Sequence, residues 1–317
     1  MNPLLFWTLD TYHSLLLRSG RMTRIIHLIT NPKGGVGDNL QLAHQVEAKL
    51  TQHHWRVIRH ETTQKGHAEH LSTTITTQSD TILCGIGGDG TMHEIINGLM
   101  RRNPCERVPV ASIPGGTGNS FMEDTGITAH HQAIEALLKG QPRSVDLLKA
   151  DLSGQTRYVF NVCGWGLFAS GNLRAESLRW MGAQRYNVAG LLEILRNPTQ
   201  RGKLILGNEE MVKDYSLIVA SNSRYVGKGM LLSPKANFQD GLMDLLYLKK
   251  ATRPLLLSLF SKLHKGRHAE LPEVCYQQTD QFEIHCDQSS LWNLDGEITR
   301  ASTGKVQVIP SAIEWIL

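Results

Sequence analysis

From Ile25 onward the chain alternates short apolar runs with stripes of helical period. Ile25 to Thr30 (IIHLIT) reads as a strand, followed by NPKGGVGD and a helical stripe from Leu40 to Leu50 that Asp38 is placed to cap. Trp55 to Arg59 reads as a second strand, leading through Glu61 to Gly66 into a helix over His67 to Ile75. A third strand, Thr81 to Cys84, enters CGIGGDGTMHEIINGL. There Thr91 and Glu94 have the spacing of a capping box, and Met92, Ile95, Ile96, Leu99 and Met100 form one apolar stripe. Val108 to Ile113 is the fourth strand. It precedes PGGTGNSF and a helix from Ala129 to Lys139 closed by Gly140. Short apolar strands alternating with helices predict a parallel sheet covered on both faces.

The pattern changes at Val145. Val145 to Leu148, Tyr158 to Val162, Leu204 to Leu206, Ser216 to Ala220, Met243 to Leu248, Gln281 to His285 and Val306 to Ile309 read as strands, which predicts a second, mainly β domain. Leu173 to Leu195 reads as one or two helices inserted over the site. At 317 residues the chain has room for two domains with separate cores. The boundaries expected are 22–145 for the α/β domain and 146–303 for the β domain, with 1–21 an N-terminal extension. That extension has apolar character but no early basic region, and Asp10 interrupts it, so it is read as packing on the body or touching a membrane surface, not as a signal peptide.

With 41% hydrophobic and 20% charged residues the composition is that of a globular protein, and no apolar run approaches the length of a membrane span. Five cysteines without metal-ligand spacing suit a reducing cytoplasm. The net charge of +4 is too weak to point to nucleic acid and is compatible with phosphate ligands or anionic lipid surfaces. Fourteen histidines include no zinc-binding motif.

The chemistry gathers in three glycine turns, NPKGG, GGDGT and PGGTGN, each after a predicted strand. On a parallel sheet such turns share the edge where helix N-termini offer free N–H groups to anions. Gly85, Gly87 and Gly90 satisfy G-x-G-x-x-G, but no acidic residue ends a strand at the distance a dinucleotide fold needs. No lysine follows Gly90 as a Walker loop requires. Asp89 either caps its turn or holds Mg²⁺ beside a nucleotide, since an acid in a phosphate cradle calls for a cation.

These residues resemble the catalytic domain of the diacylglycerol kinase and sphingosine/ceramide kinase family of lipid kinases. The likeness rests on Asn31-Pro32 with Gly34 and Gly35, Thr62 before Gly66, GGDGT with Glu94, PGGTGN, SPKANFQDGLMDL and NLDGE. It implies a Rossmann-like N-terminal nucleotide domain and a β-sandwich C-terminal domain, with the active site in the cleft between them and segment 304–317 returning to the first domain. It further implies ATP contacts by Asn31, Pro32, Lys33, Gly34, Gly35, Thr62, Gly87, Gly88, Asp89, Gly90, Thr91, Met92, His93, Glu94, Gly116, Thr117 and Asn119. Glu297 would be the base, with Asp295 orienting magnesium or the acceptor and Asp89 beside the magnesium of ATP. A structural Mg²⁺ would be held by the carbonyls of Asn237 and Leu242 and the Asp240 carboxylate.

The chain departs from the pattern at His93, where asparagine is frequent. It departs again at Ser170-Gly171-Asn172, where sphingosine kinases carry acids that would meet a protonated amine. The expected activity is ATP-dependent phosphorylation of a lipid hydroxyl, with diacylglycerol, ceramide and sphingoid bases all open as acceptors. Arginines and apolar residues between Leu167 and Lys203 suit contact with an acyl chain and an anionic bilayer. Two rivals remain: an NAD kinase, which shares GGDGT, and a silent protein that binds lipid or nucleotide.

Overall fold

The structure is a computed structural model that describes residues 24–317 apart from Val36, Thr117 and Lys228, and apart from the side chains of Arg179 and Ala183. The expected extension 1–21 and the expected contact Thr117 therefore lie outside the described residues.

The first half runs β1 (Ile25–Thr30), α1 (Asn39–Gln52), β2 (Arg56–Glu61), α2 (His67–Thr74), β3 (Thr81–Gly87), α3 (Asp89–Met100), β4 (Val110–Pro114), α4 (Ser120–Thr125) and α5 (His130–Lys139). The strands are parallel in the order β2-β1-β3-β4, so all four end on one edge. The continuous apolar runs follow from coverage of both faces. On β1 and β3, Ile26, Leu28, Ile82, Cys84 and Ile86 pack under α1 and α5. The alternate positions Ile29 and Leu83 pack under α2 and α3.

The second half runs β5 (Pro142–Leu152), β6 (Gln155–Val159), β7 (Val162–Gly166), α6 (Leu167–Ser177), α7 (Arg185–Arg196), β8 (Gln200–Leu206), β9 (Glu209–Ser221), β10 (Tyr225–Val226), β11 (Met230–Leu231), β12 (Met243–Lys249), α8 (Arg253–Lys262), β13 (Cys275–Thr279), β14 (Gln281–Leu294) and β15 (Glu297–Ile316). Its strands pair antiparallel with the same period of two. Ile218 and Ala220 of β9 join a core with Trp165, Phe282 and Trp292. Leu217 and Val219 face the other way, toward Ile194 of α7 and Leu256 and Leu259 of α8.

β15 joins the halves, because it pairs with β14 and β5 and ends with Trp315 opposite Val110 of β4. The strand is irregular between Ile309 and Ile313. Buried Asp146 pins that point, accepting Ser311 N–H at 2.7 Å through Oδ1 and Gly241 N–H at 2.7 Å through Oδ2.

Several expectations change. The α3 helix begins at Asp89 after Gly88, so Thr91 is its third residue and forms no capping box. Tyr158 to Val162 divides between β6 and β7. The helices α4 and α8 and the strand β13 carry no counterpart in the sequence reading. Helix α8 begins RPLLL, where three consecutive leucines blur any single stripe.

Candidate active site

The turns after β1, β3 and β4 lie side by side and touch backbone to backbone. A Cβ on Gly35 would stand 2.0 Å from the Gly115 carbonyl oxygen, and one on Gly116 would stand 2.3 Å from Gly88 Cα. Gly35 also has φ of 79°, so glycine is required there twice over. Asn31 donates its N–H to Ile86 (3.0 Å) and accepts Lys33 N–H through Oδ1 (3.0 Å), which folds Pro32 and Lys33 into a tight turn. Buried Asn39 donates Nδ2 to the carbonyls of Asn31 (2.8 Å) and Gly34 (2.7 Å). Gly115 donates to Gly87 (2.9 Å), and Asn119 Nδ2 closes the third turn on Gly116 (2.9 Å). Thr62 stands on the same edge and donates its N–H to Thr30 (2.9 Å).

The N-terminus of α3 has no side-chain cap, so its dipole faces the space these turns enclose. Asp89 opens the helix and accepts Ser120 N–H at 2.9 Å. Burial pushes its carboxyl up to about 6, and Asp295 nearby adds to the shift. Glu297 stands over the same turn: a Cβ on Gly90 would lie 3.7 Å from its Oε1. Its Oε2 is ion-paired with Lys65.

Four expected residues face inward instead. Met92 is buried in the core under α3. Glu94 accepts Gly66 N–H (2.8 Å) and Ala68 N–H (3.1 Å), so it caps α2 and not its own helix. His93 Nδ1 and Asp295 Oδ2 are 2.9 Å apart. A carboxylate cannot donate, so Nδ1 carries the proton. Asp295 also accepts N–H groups from Phe160 (3.1 Å), Asn161 (2.9 Å) and Val162 (3.0 Å). With four donors its carboxylate holds β7 and α3 together. Thr91 is buried too, with Oγ1 filling the space where a Gly87 Cβ would stand.

Asn237, Asp240 and Leu242 form the turn before β12. Asp240 Oδ1 accepts Leu242 N–H (3.0 Å), Asn237 Oδ1 accepts Gln239 N–H (3.2 Å), and the Asn237 carbonyl accepts Asp240 N–H (3.4 Å). Behind them Asp244 is buried, with Oδ1 lacking a hydrogen-bond partner among the described residues. Burial and then Asp240 raise its carboxyl.

Beside Asp89 lies a cavity of about 170 Å³. Asp89, Ser120, Asn161 and Asn293 supply polar lining, while Phe168, Ile194, Leu217, Leu256, Leu259 and Phe260 supply apolar lining from α6, α7, β9 and α8. Gly171 and Asn172 also line it, so the position where an acidic pair was looked for falls on the cavity wall.

The sequence reading missed Lys65, Ser120 and the whole contribution of α8. Ser120 directly follows PGGTGN and was legible as its continuation. Lys65 in TTQKGH had no local signal, because its partner comes from β15.

The site thus sets an uncapped helix N-terminus among backbone turns, with acids on one side and an apolar cavity on the other. Residues 25–150 match the model of the diacylglycerol kinase catalytic domain, and residues 161–317 match that of the YegS C-terminal NAD kinase beta sandwich-like domain. A diacylglycerol kinase of Mycobacterium tuberculosis is 28% identical over 291 residues, covering 90% of this chain and 93% of that protein. Sphingosine kinase 1 of Arabidopsis thaliana is 25% identical, covering 91% of this chain and 71% of that protein. The crystal structure of a diacylglycerol kinase from Bacillus anthracis superposes with a TM-score of 0.77 at 21% identity, covering 94% of this chain and 98% of the other. The mixed α/β fold with its large C-terminal β region is therefore shared with that structure. The chain belongs to the diacylglycerol kinase and sphingosine kinase family of lipid kinases.

Proposed function

We propose that this chain transfers the terminal phosphoryl group of ATP to the hydroxyl of a lipid alcohol. The observation that carries the reading is the placement of Asp89 and Glu297 at the uncapped start of α3, where Asp89 also lines the apolar cavity. In this reading residues 22–145 with 304–317 form a Rossmann-like nucleotide half, 146–303 form the lipid half, and the substrates meet between them.

The turns at Asn31–Gly35, Gly87–Gly90 and Gly116–Asn119 hold the phosphates through backbone N–H groups and the helix dipole. A magnesium ion at Asp89 fits the site, because a carboxyl raised to about 6 by burial and a neighbouring acid gains from a cation. When bound, that ion neutralises charge on the transferring phosphoryl group. A second cation fits the turn of Asn237, Asp240 and Leu242, where buried Asp244 keeps one oxygen without a hydrogen-bond partner among the described residues. The lipid hydroxyl oxygen attacks the γ-phosphorus, the bond to the β,γ-bridging oxygen breaks, and the hydroxyl proton passes to Glu297. Asp295, which accepts four hydrogen bonds, positions His93 and α3.

The exposed side chains of Leu173 (45%), Trp180 (81%) and Leu195 (60%) lie on the two helices and the turn between them that roof the cavity, which supports peripheral contact with a bilayer. No helix among the described residues is long and apolar enough to cross a membrane.

Labelled ATP offered with diacylglycerol, ceramide, sphingoid bases and NAD tests the reading. The expected result is a phosphorylated lipid, with Glu297→Gln slowing turnover about 10²–10⁴-fold while ATP still binds. Phosphorylation of NAD alone would establish the NAD kinase instead, and no consumption of ATP with any acceptor would leave a binding protein.

A further inference from the structure

The kinase reading leaves one charged contact unused, the ion pair between Lys65 and the base. We propose that Lys65 is a second catalytic residue, a cation that leaves Glu297 for the γ-phosphate when ATP binds. This rests on the kinase reading of the site.

The placement of Lys65 is built. It follows β2 on the strand-exit edge, and the chain reverses beside it at Gly66, whose φ is 81°. Glu94 grips the N–H groups of Gly66 and Ala68, so the segment is tied to the helix whose N-terminus faces the phosphates. From there Nζ reaches Glu297 Oε2, while Oε1 of the same carboxylate lies over Gly90. The base thus stands over the first turn of α3 with the cation paired to it, and the phosphate nearest the base is the one being transferred.

The pair is also made to exchange. Its side chains are 77% and 34% exposed, and an exposed ion pair holds weakly. The γ-phosphate carries more charge than a carboxylate, and a lysine ammonium on its flexible stem can follow it. Exchange leaves Glu297 with a free carboxylate for the alcohol proton and gives the phosphoryl group a counter-charge. Lys65 neither gains nor loses a proton, so the transfer remains balanced as written above.

The test compares binding of a non-hydrolysable ATP analogue and of ADP, each with Mg²⁺ and without lipid, to the full chain and to its Lys65→Met and Lys65→Arg variants. The expected result for Lys65→Met is about ten-fold or greater loss for the analogue, with ADP changed less than about two-fold. Lys65→Arg retains most of the affinity, and melting temperatures stay equal because the side chain is exposed. Equal loss for both nucleotides, or loss for neither, overturns the assignment. Turnover on the best lipid separates the two levels: an active wild type with an equally active Lys65→Met removes only Lys65. A wild type inert toward every lipid removes the kinase reading and leaves the nucleotide comparison to be scored alone.

Discussion

At the strand-exit edge Gly35 lies against Gly115 and Gly116 against Gly88, backbone on backbone. The cavity beside it is walled by side chains, with Phe168, Ile194, Leu217, Leu256 and Phe260 arriving from four elements. The glycine turns of the edge offer N–H groups at fixed positions, which suits a phosphate ligand common to a family. The wall can change residue by residue, which suits a variable acceptor. Substitution should therefore abolish function at the edge and retune it at the wall.

The largest effect expected is at Gly35. Alanine there meets a carbonyl oxygen at 2.0 Å in a backbone conformation with φ of 79°, and no flexible side chain can yield. Strain and overpacking of this kind cost on the order of 3 kcal/mol. Gly35→Ala should lower the denaturant midpoint and weaken ATP-analogue binding at least about 100-fold, since the change displaces the neighbouring turn as well. A variant that bound ATP normally and changed only its choice of lipid would break the distinction between edge and wall.

Asp89 belongs to both regions, and pH separates its roles. Its folded carboxyl titrates at about 6 against an ordinary 3.8, so between those values the folded protein binds a proton that the unfolded chain releases. Stability from this group therefore falls as pH rises through that window. Asp89→Asn should abolish phosphorylation. In metal-free buffer it should also melt above the wild type at about pH 7.5, an advantage that disappears at about pH 4. A constant difference in melting temperature across the range would show that Asp89 ionises freely in the fold.

The same contrast governs what the sequence reveals. Glycines at Gly35, Gly88 and Gly116 are legible because a turn's backbone needs are local and each turn follows a continuous apolar strand. The capping-box reading of Thr91 and Glu94 failed because the strand ends at Gly87 and the helix starts at Asp89 with Gly88 alone between them, leaving Glu94 free to reach Gly66. The wall was largely hidden. Its α8 residues sit in RPLLLSLFSK, whose leucines serve a packing arrangement set by β9, β12 and α7. Asp295 is named by its motif and does line the cavity, but the three backbone N–H groups that it accepts from β7 and its approach emerge only from the fold.

A smaller effect is expected at the wall itself. Gly171 lines the cavity inside α6, and a Cβ there meets nothing within 4 Å. Gly171→Leu should raise the KM for a long-chain lipid about ten-fold by filling acceptor space. The KM for ATP should stay unchanged, and stability should rise by about 0.5–1 kcal/mol as a helix glycine is replaced. Equal changes in both KM values would mean that the cavity does not hold the acceptor.

The smallest effect belongs to the roof above that wall, where the exposed material is apolar more than basic. Arg174 and Arg196 both engage buried Glu193, at 2.5 and 3.5 Å, and Arg185 reaches Glu176 at 3.7 Å, so their charge is already shared within the protein. Trp180 is 81% exposed and Leu195 60%. Vesicle partitioning should then fall about five-fold for Trp180→Ser on neutral and anionic lipid alike, as roughly 1 kcal/mol of interfacial burial is lost. The exposed Arg201, changed to Glu, should reduce partitioning by a similar factor on anionic vesicles alone. A loss confined to anionic vesicles in both variants would make the roof an electrostatic surface. Unchanged partitioning in both would detach it from the membrane and leave α6 and α7 as cover for the cavity only.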